Sequence, residues 1–184
     1  MKFIGSRISH QNKNGIFSVV IAASVERSKE TLLATWLFFW TCSGIYFITQ
    51  LFTPLPKETK LVIAVLLTFW GYYEYRIGLI FLWRKFGYES IKFADDKLVI
   101  RDVIRGRGKS REFFIDNIPH FAKLKLEEGW VKSMDQSFWV KGNGYIQFQY
   151  QGKLVHFGKQ LTDEETSKLL DLVQRELIER KRKR

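Results

Sequence analysis

Between Thr31 and Phe52 the chain runs for 22 residues without a charged side chain. A helix rises about 1.5 Å per residue, so about 20 such residues cross the ~30 Å hydrocarbon layer of a bilayer. Backbone amides find no water there, and only a helix or a closed barrel pairs them all. The run therefore predicts a membrane helix. A secretory signal sequence fits it less well, because the run begins about 30 residues in, exceeds the usual apolar length and ends without a small-residue cleavage site. A second segment, Leu61 to Trp83, is 23 residues long and carries only Glu74 and Arg76. Together they predict a transmembrane helical hairpin over residues 31–84, with spans at about 31–52 and 61–83 and a tight turn at Pro54 and Pro56. The lone Cys42 excludes an intramolecular disulfide and reads as a small packing residue in the first span.

The net charge of +11 has a location. Residues 84–184 carry 22 Lys/Arg and 15 Asp/Glu, and residues 1–30 carry five and two, whereas the connector 53–60 holds two basic residues. Basic residues beside membrane spans favour the cytoplasmic side. Both termini are expected there, in a multi-pass protein of the cytoplasmic (inner) membrane. No recognition motif accompanies the positive charge, so no nucleic-acid partner is expected.

Residues 1–15 read as a mobile arm, and Phe17 to Ala23 as a short β-branched strand, so residues 1–30 form an N-terminal arm and strand. A strand ahead of a membrane span needs a sheet to join, and that sheet is legible in residues 85–184. YESIKFA and KLVIRDVI flank a two-residue turn; SREFFID follows a Gly-rich basic loop. HFAKLKLE and YIQFQYQ alternate as half-buried strands do, SFWVKG is shorter, and LVHFG closes the series. Thr162 with Glu165 makes a capping box, and Leu169, Leu170, Val173 and Leu177 give the following helix one apolar stripe. The fold class is thus α+β: a two-helix membrane hairpin plus a small PH-like antiparallel β domain closed by a C-terminal amphipathic helix. Other small β topologies would give the same string of elements.

Several stretches carry a resemblance: the aromatic span TWLFFWTCSG, the exit WRKFGYESIKF, the loop IRGRGKSREFFIDNI and the close YIQFQYQGKLVHFGKQLTDEE. Over residues 16–178 they are similar to an uncharacterised bacterial family in which two membrane helices precede a PH-like β domain. The plan also resembles the photosystem I assembly protein of chloroplasts and cyanobacteria, which shares a Gly-Tyr-acid exit (here Gly87, Tyr88, Glu89). That likeness covers the plan and a few residues, and implies no photosynthetic role. Glu74 and Arg76 depart from the apolar second span of the bacterial family.

Those two charges are the first candidate site. Two residues apart, they lie about 200° apart around a helix and cannot pair well with each other. Each costs about 2.5–3.5 kcal/mol at a bilayer centre on insertion scales. In a tight hairpin Glu74 falls beside Thr41 and Trp40, whose hydroxyl or indole would serve it, and Arg76 falls near the face of Trp36. The pair is read as an intramembrane contact with an integral membrane complex or a second copy. Packing within the hairpin with one charge at the headgroups, or an ion pathway, are the other readings. The loop residues Arg101, Arg105, Arg107, Lys109 and Arg111 form a second candidate, for anionic lipid headgroups or an acidic partner, with the tail Arg180 to Arg184 read alike. A solvated loop is the bland alternative. GRGK lacks the spacing of a nucleotide-binding P-loop. Trp130 is a candidate exposed contact, while Phe138 and Trp139 suit a core. His10, His120 and His156 are scattered, and neither a metal set nor a Ser/His/Asp set can be drawn from the spacing. No cofactor and no catalytic residue is expected, and the chain reads as a non-catalytic accessory, scaffold or assembly subunit, with a lipid-tethering module as the alternative.

Overall fold

The computed structural model describes residues 2–23, 27–124, 140, 142 and 144–182. It has two units, Met1–Ser24 with Phe86–Arg184, and Val25–Lys85. The class is α+β, with antiparallel sheets and three helices among the described residues.

In the first unit β1 (Lys2–Ile4), β2 (Ile8–Lys13), β3 (Ile16–Ala22), β4 (Gly87–Ala94), β5 (Lys97–Ile104) and β6 (Ser110–Phe114) form one sheet in chain order. A 3-10 turn over Ile115–Asn117 leads to a second sheet of β7 (Ala122–Lys123), β8 (Gly144–Tyr150) and β9 (Lys153–Lys159). Strand β3, ahead of the helices, pairs antiparallel with β4 behind them, from Phe17↔Phe93 to Ala22↔Tyr88. The strand before the first helix thus finds its partner beyond the second, as its composition requires.

Within residues 2–15 the structure has two strands where an arm was expected. These are β1 and β2, with Ile8 fully buried. The signal for this was Asn14-Gly15, which takes the left-handed conformation at both positions (φ 53° and 76°) and closes the β2–β3 hairpin. The polar run Ser9 to Lys13 concealed it, since most of this hairpin's far end faces water.

Alternation places Ile146 and Phe148 inside on β8, and Val19, Ile21, Ile91, Phe93, Leu98 and Ile100 inside on the larger sheet. Phe121 joins the two sets: its ring meets Phe93 edge-on at 6.3 Å and Phe148 edge-on at 5.5 Å. Edge-to-face contacts of this kind add about 0.5–1.5 kcal/mol beyond burial. The last helix, α3 (Asp163–Arg182), begins with the expected capping box: Thr162 N–H donates to Glu165 at 2.9 Å and Glu165 N–H to the Thr162 hydroxyl at 3.2 Å. Leu169, Val173 and Leu177 are buried in the common core, with Leu170 partly buried against it. The basic tail is less free than its composition implies. Arg180 donates to the carbonyls of Gly15 (2.6 Å) and Asp95 (3.2 Å), joining two hairpin turns to α3. Lys181 donates to the Ile118 carbonyl. Of the expected strands, the part of HFAKLKLE beyond Leu124 and most of SFWVKG lie outside the described residues.

The second unit consists of α1 (Arg27–Gln50) and α2 (Lys57–Phe86). α2 starts four residues earlier than its apolar run, directly after Pro56, whose carbonyl accepts the Lys60 N–H at 3.1 Å. Proline's preset φ suits that entry. Over Glu30–Gln50 α1 is long and apolar enough to cross a membrane, and 11% of that span is buried within the chain. α2 is longer, but Glu74, Arg76 and the neighbouring tyrosines keep it below the same hydropathy mark. Cys42 is exposed on α1, which corrects its reading as a packing residue.

Candidate functional site

α1 and α2 meet along a polar seam. Gly44 has no side chain because the Trp70 indole occupies its place, with ring atoms 2.0 Å from where a Cβ would stand. There the Trp70 N–H donates to the Trp40 carbonyl at 2.9 Å. One turn further along α2, Glu74 faces Thr41, whose hydroxyl lies 2.8 Å from Glu74 Oε1 and 2.8 Å from the Leu37 carbonyl. One hydroxyl hydrogen serves these two acceptors. Nearer the helix ends Lys85 pairs with Glu30 at 3.0 Å.

The Trp40 indole does not serve Glu74. Its N–H and Glu74 Oε2 are both buried without a hydrogen-bond partner among the described residues. Nor does Trp36 hold Arg76: the Trp36 ring stacks on Trp40 at 5.0 Å. Arg76 instead lies on Tyr72, one turn earlier on its own helix, hydrogen-bonded to the phenol at 3.0 Å with the guanidinium 5.8 Å from the ring centre. The helical period explains both placements. Trp70 and Glu74 share the face toward α1, whereas Tyr72 and Arg76 share the far face and are exposed. The two charges are thus separated: one between the helices, the other on the outer surface.

The five basic loop residues do not form one patch. Arg101 donates to the carbonyls of Gly108 (3.2 Å) and Gly106 (3.4 Å), holding the β5–β6 turn from beneath. Arg105 lies over the Phe86 ring at 4.5 Å. Arg111 shares a row with Ile100, and Arg101 with Ser110, so alternation sends Arg111 to the opposite face of the sheet from Arg101. Arg107 and Lys109 are exposed and make no ion pair with the described residues. The turn is tight because Arg105 and Gly106 adopt positive φ (48° and 80°), and because Gly108 lies on β5 with no room for a side chain. It occupies the end of the sheet where Ala22 leaves for α1 and Gly87 follows α2. Trp130, with Phe138 and Trp139, lies outside the described residues. Among the described residues no group of His, Cys, Asp or Glu is arranged to hold a metal.

A cluster not read from the sequence joins the two sheets. Glu89, only 1% exposed, accepts the Gly158 N–H at 2.7 Å and the Lys159 N–H at 3.2 Å. The Lys159 ammonium sits 2.6 Å from both oxygens of Asp102 and 3.9 Å from Glu89. Burial pushes the Glu89 carboxyl above its usual range; attraction by Lys159 and the two amide hydrogen bonds oppose this, while Asp102 adds to it. Gly158, at φ 78°, turns its amide toward the carboxylate. The signal was present in two motifs, the Gly-Tyr-acid exit and FGKQ, but their meeting is a tertiary fact. No family model matches the chain, and no curated protein resembles it closely enough to count as a relative.

Proposed function

We propose that the chain is a membrane-anchored, non-catalytic accessory or assembly subunit of a membrane protein complex. In this reading both helices lie in the cytoplasmic membrane, both termini face the cytoplasm, and the β-rich unit is a cytoplasmic PH-like domain. Two antiparallel sheets closed by a C-terminal helix suit that domain type. Large apolar side chains point outward along both helices, among them Phe38, Phe39 and Ile45 on α1 and Leu61, Val62, Val65 and Phe69 on α2. An apolar surface of this extent is costly in water and suits lipid.

The observation that carries the reading is Arg76. A guanidinium on the outer face of a helix within hydrocarbon needs a counter-group, and among the described residues it has one phenol. A neighbouring membrane helix with a carboxylate at that depth supplies it, in another protein or in a second copy. Glu74, turned toward Thr41, takes no part in this docking. Mild-detergent copurification from the native membrane tests the proposal: Arg76→Leu should lose companions that wild type and Glu74→Gln retain. Wild-type recovery with Arg76→Leu would remove the case for an intramembrane partner.

A second reading, a tether to anionic lipid headgroups, is favoured by the basic turn. Arg107 and Lys109, without an ion pair among the described residues, stand at the end of the sheet that the chain uses to leave for the helices. Each such residue contributes about 1 kcal/mol beside an anionic surface.

A further inference from the structure

We infer that the outer face of β4 and β5 is a binding groove for a phosphate monoester. A register row crosses this face as Ser9, Val20, Ser90, Arg101 and Ser110 on successive strands. Beside it runs a groove of about 310 Å³, within the range of small-ligand sites. Its walls carry Tyr88, Ser90, Lys92, Arg101 and Ser110, and no carboxylate. Ser90 is 7% exposed, yet its hydroxyl makes no hydrogen bond with the described residues and lines the groove. Its oxygen is open to the groove and available to whatever occupies it.

The cations point to the charge of that ligand. Lys92, two residues from Ser90 and so on the same face, is exposed and makes no ion pair with the described residues. Arg101 is pre-positioned by the turn carbonyls, which use two of its five N–H groups. Two cations without a lining acid make the groove positive. With two serine hydroxyls and a phenol the lining has five donor-bearing side chains, more than the about four lone-pair sites of a planar carboxylate. A tetrahedral phosphate with three terminal oxygens accepts from all these directions. Its source is either a membrane lipid headgroup or a soluble phosphate ester. The groove lies wholly within the β-rich unit and does not depend on the docking of Arg76.

Isothermal titration of full-length protein in phosphatidylcholine nanodiscs with glycerol 3-phosphate tests the inference. Saturable binding is expected, weakened about tenfold by Lys92→Gln and by Arg101→Gln, as for loss of one charge-assisted contact. Arg111→Gln, on the opposite face, should leave it unchanged. Arg101→Gln also loosens the turn, so Lys92→Gln, which breaks no contact, is the decisive variant. Nanodiscs containing phosphatidic acid separate the sources: blocked titration assigns the site to a lipid headgroup, and undiminished titration to a soluble ester. No saturable binding, or binding indifferent to Lys92→Gln, would overturn the inference. Neither result bears on copurification through Arg76.

Discussion

Glu89 and Glu165 occupy environments that shift their carboxyls in opposite directions, and the shifts predict opposite slopes of stability against pH. Burial raises Glu89 above the usual 4.5. An acid raised on folding contributes most below its unfolded value and loses that contribution as pH climbs toward the folded one. For Glu165 burial raises the carboxyl, but hydrogen bonds from Arg7 and Thr162 outweigh it and the net shift is downward. Its contribution is present above 4.5 and fades as pH falls. Denaturant unfolding of the full chain in mild detergent across this range should therefore show two effects. Glu89→Gln removes part of the decline above 4.5, and Glu165→Gln removes part of the decline below it. Unaltered slopes in both variants would contradict the assignments. Arg7 holds Glu165 at 2.7 Å and the Gln160 carbonyl at 2.6 Å, so the N-terminal hairpin shares in the acid-side effect.

The seam between α1 and α2 depends on one absent side chain. At Gly44 a larger residue must displace the Trp70 ring and break its hydrogen bond to Trp40. Overpacking of this kind costs about 1–3 kcal/mol. Gly44→Leu should lower the unfolding midpoint in detergent, whereas Gly71→Ala, where an added Cβ meets nothing within 4 Å, should not. Equal midpoints would mean that the helices are not held at Gly44. Elements with strong periodicity were legible beforehand: β4, β5, β8 and α3 alternate or stripe as half-buried elements must. The depth match of Glu74 with Thr41 followed from hairpin geometry alone. Arg76 did not, because two aromatic side chains, Trp36 and Tyr72, were within reach of it, and rotamer and packing choose between them. The β1–β2 pair was missed because apolar pattern is weak at an edge that faces water.

At the scale of the whole molecule, the Lys/Arg imbalance predicts topology. In a Cys42→Ser background, a cysteine at Thr59 should react with an impermeant reagent applied to intact cells, and one at Ser110 should not. The reverse pattern would invert the cytoplasmic placement of the β-rich unit. The class of this protein was determined by the sequence itself. A 22-residue uncharged run makes a helix suited to lipid, alternating strands need a common core, and T-x-x-E opens a helix, because each depends on neighbours a few residues apart. Tertiary structure alone decided which polar groups meet. Glu89 reaches the amides of Gly158 and Lys159 across about 70 residues, and Arg180 reaches Gly15 across 165. It also parted Arg101 from Arg111, residues that composition alone had grouped, whereas the parting of Glu74 from Arg76 follows from helical spacing. Side-chain direction depends on register and helical phase, and those are set when sheets and helices pack, not by residue type.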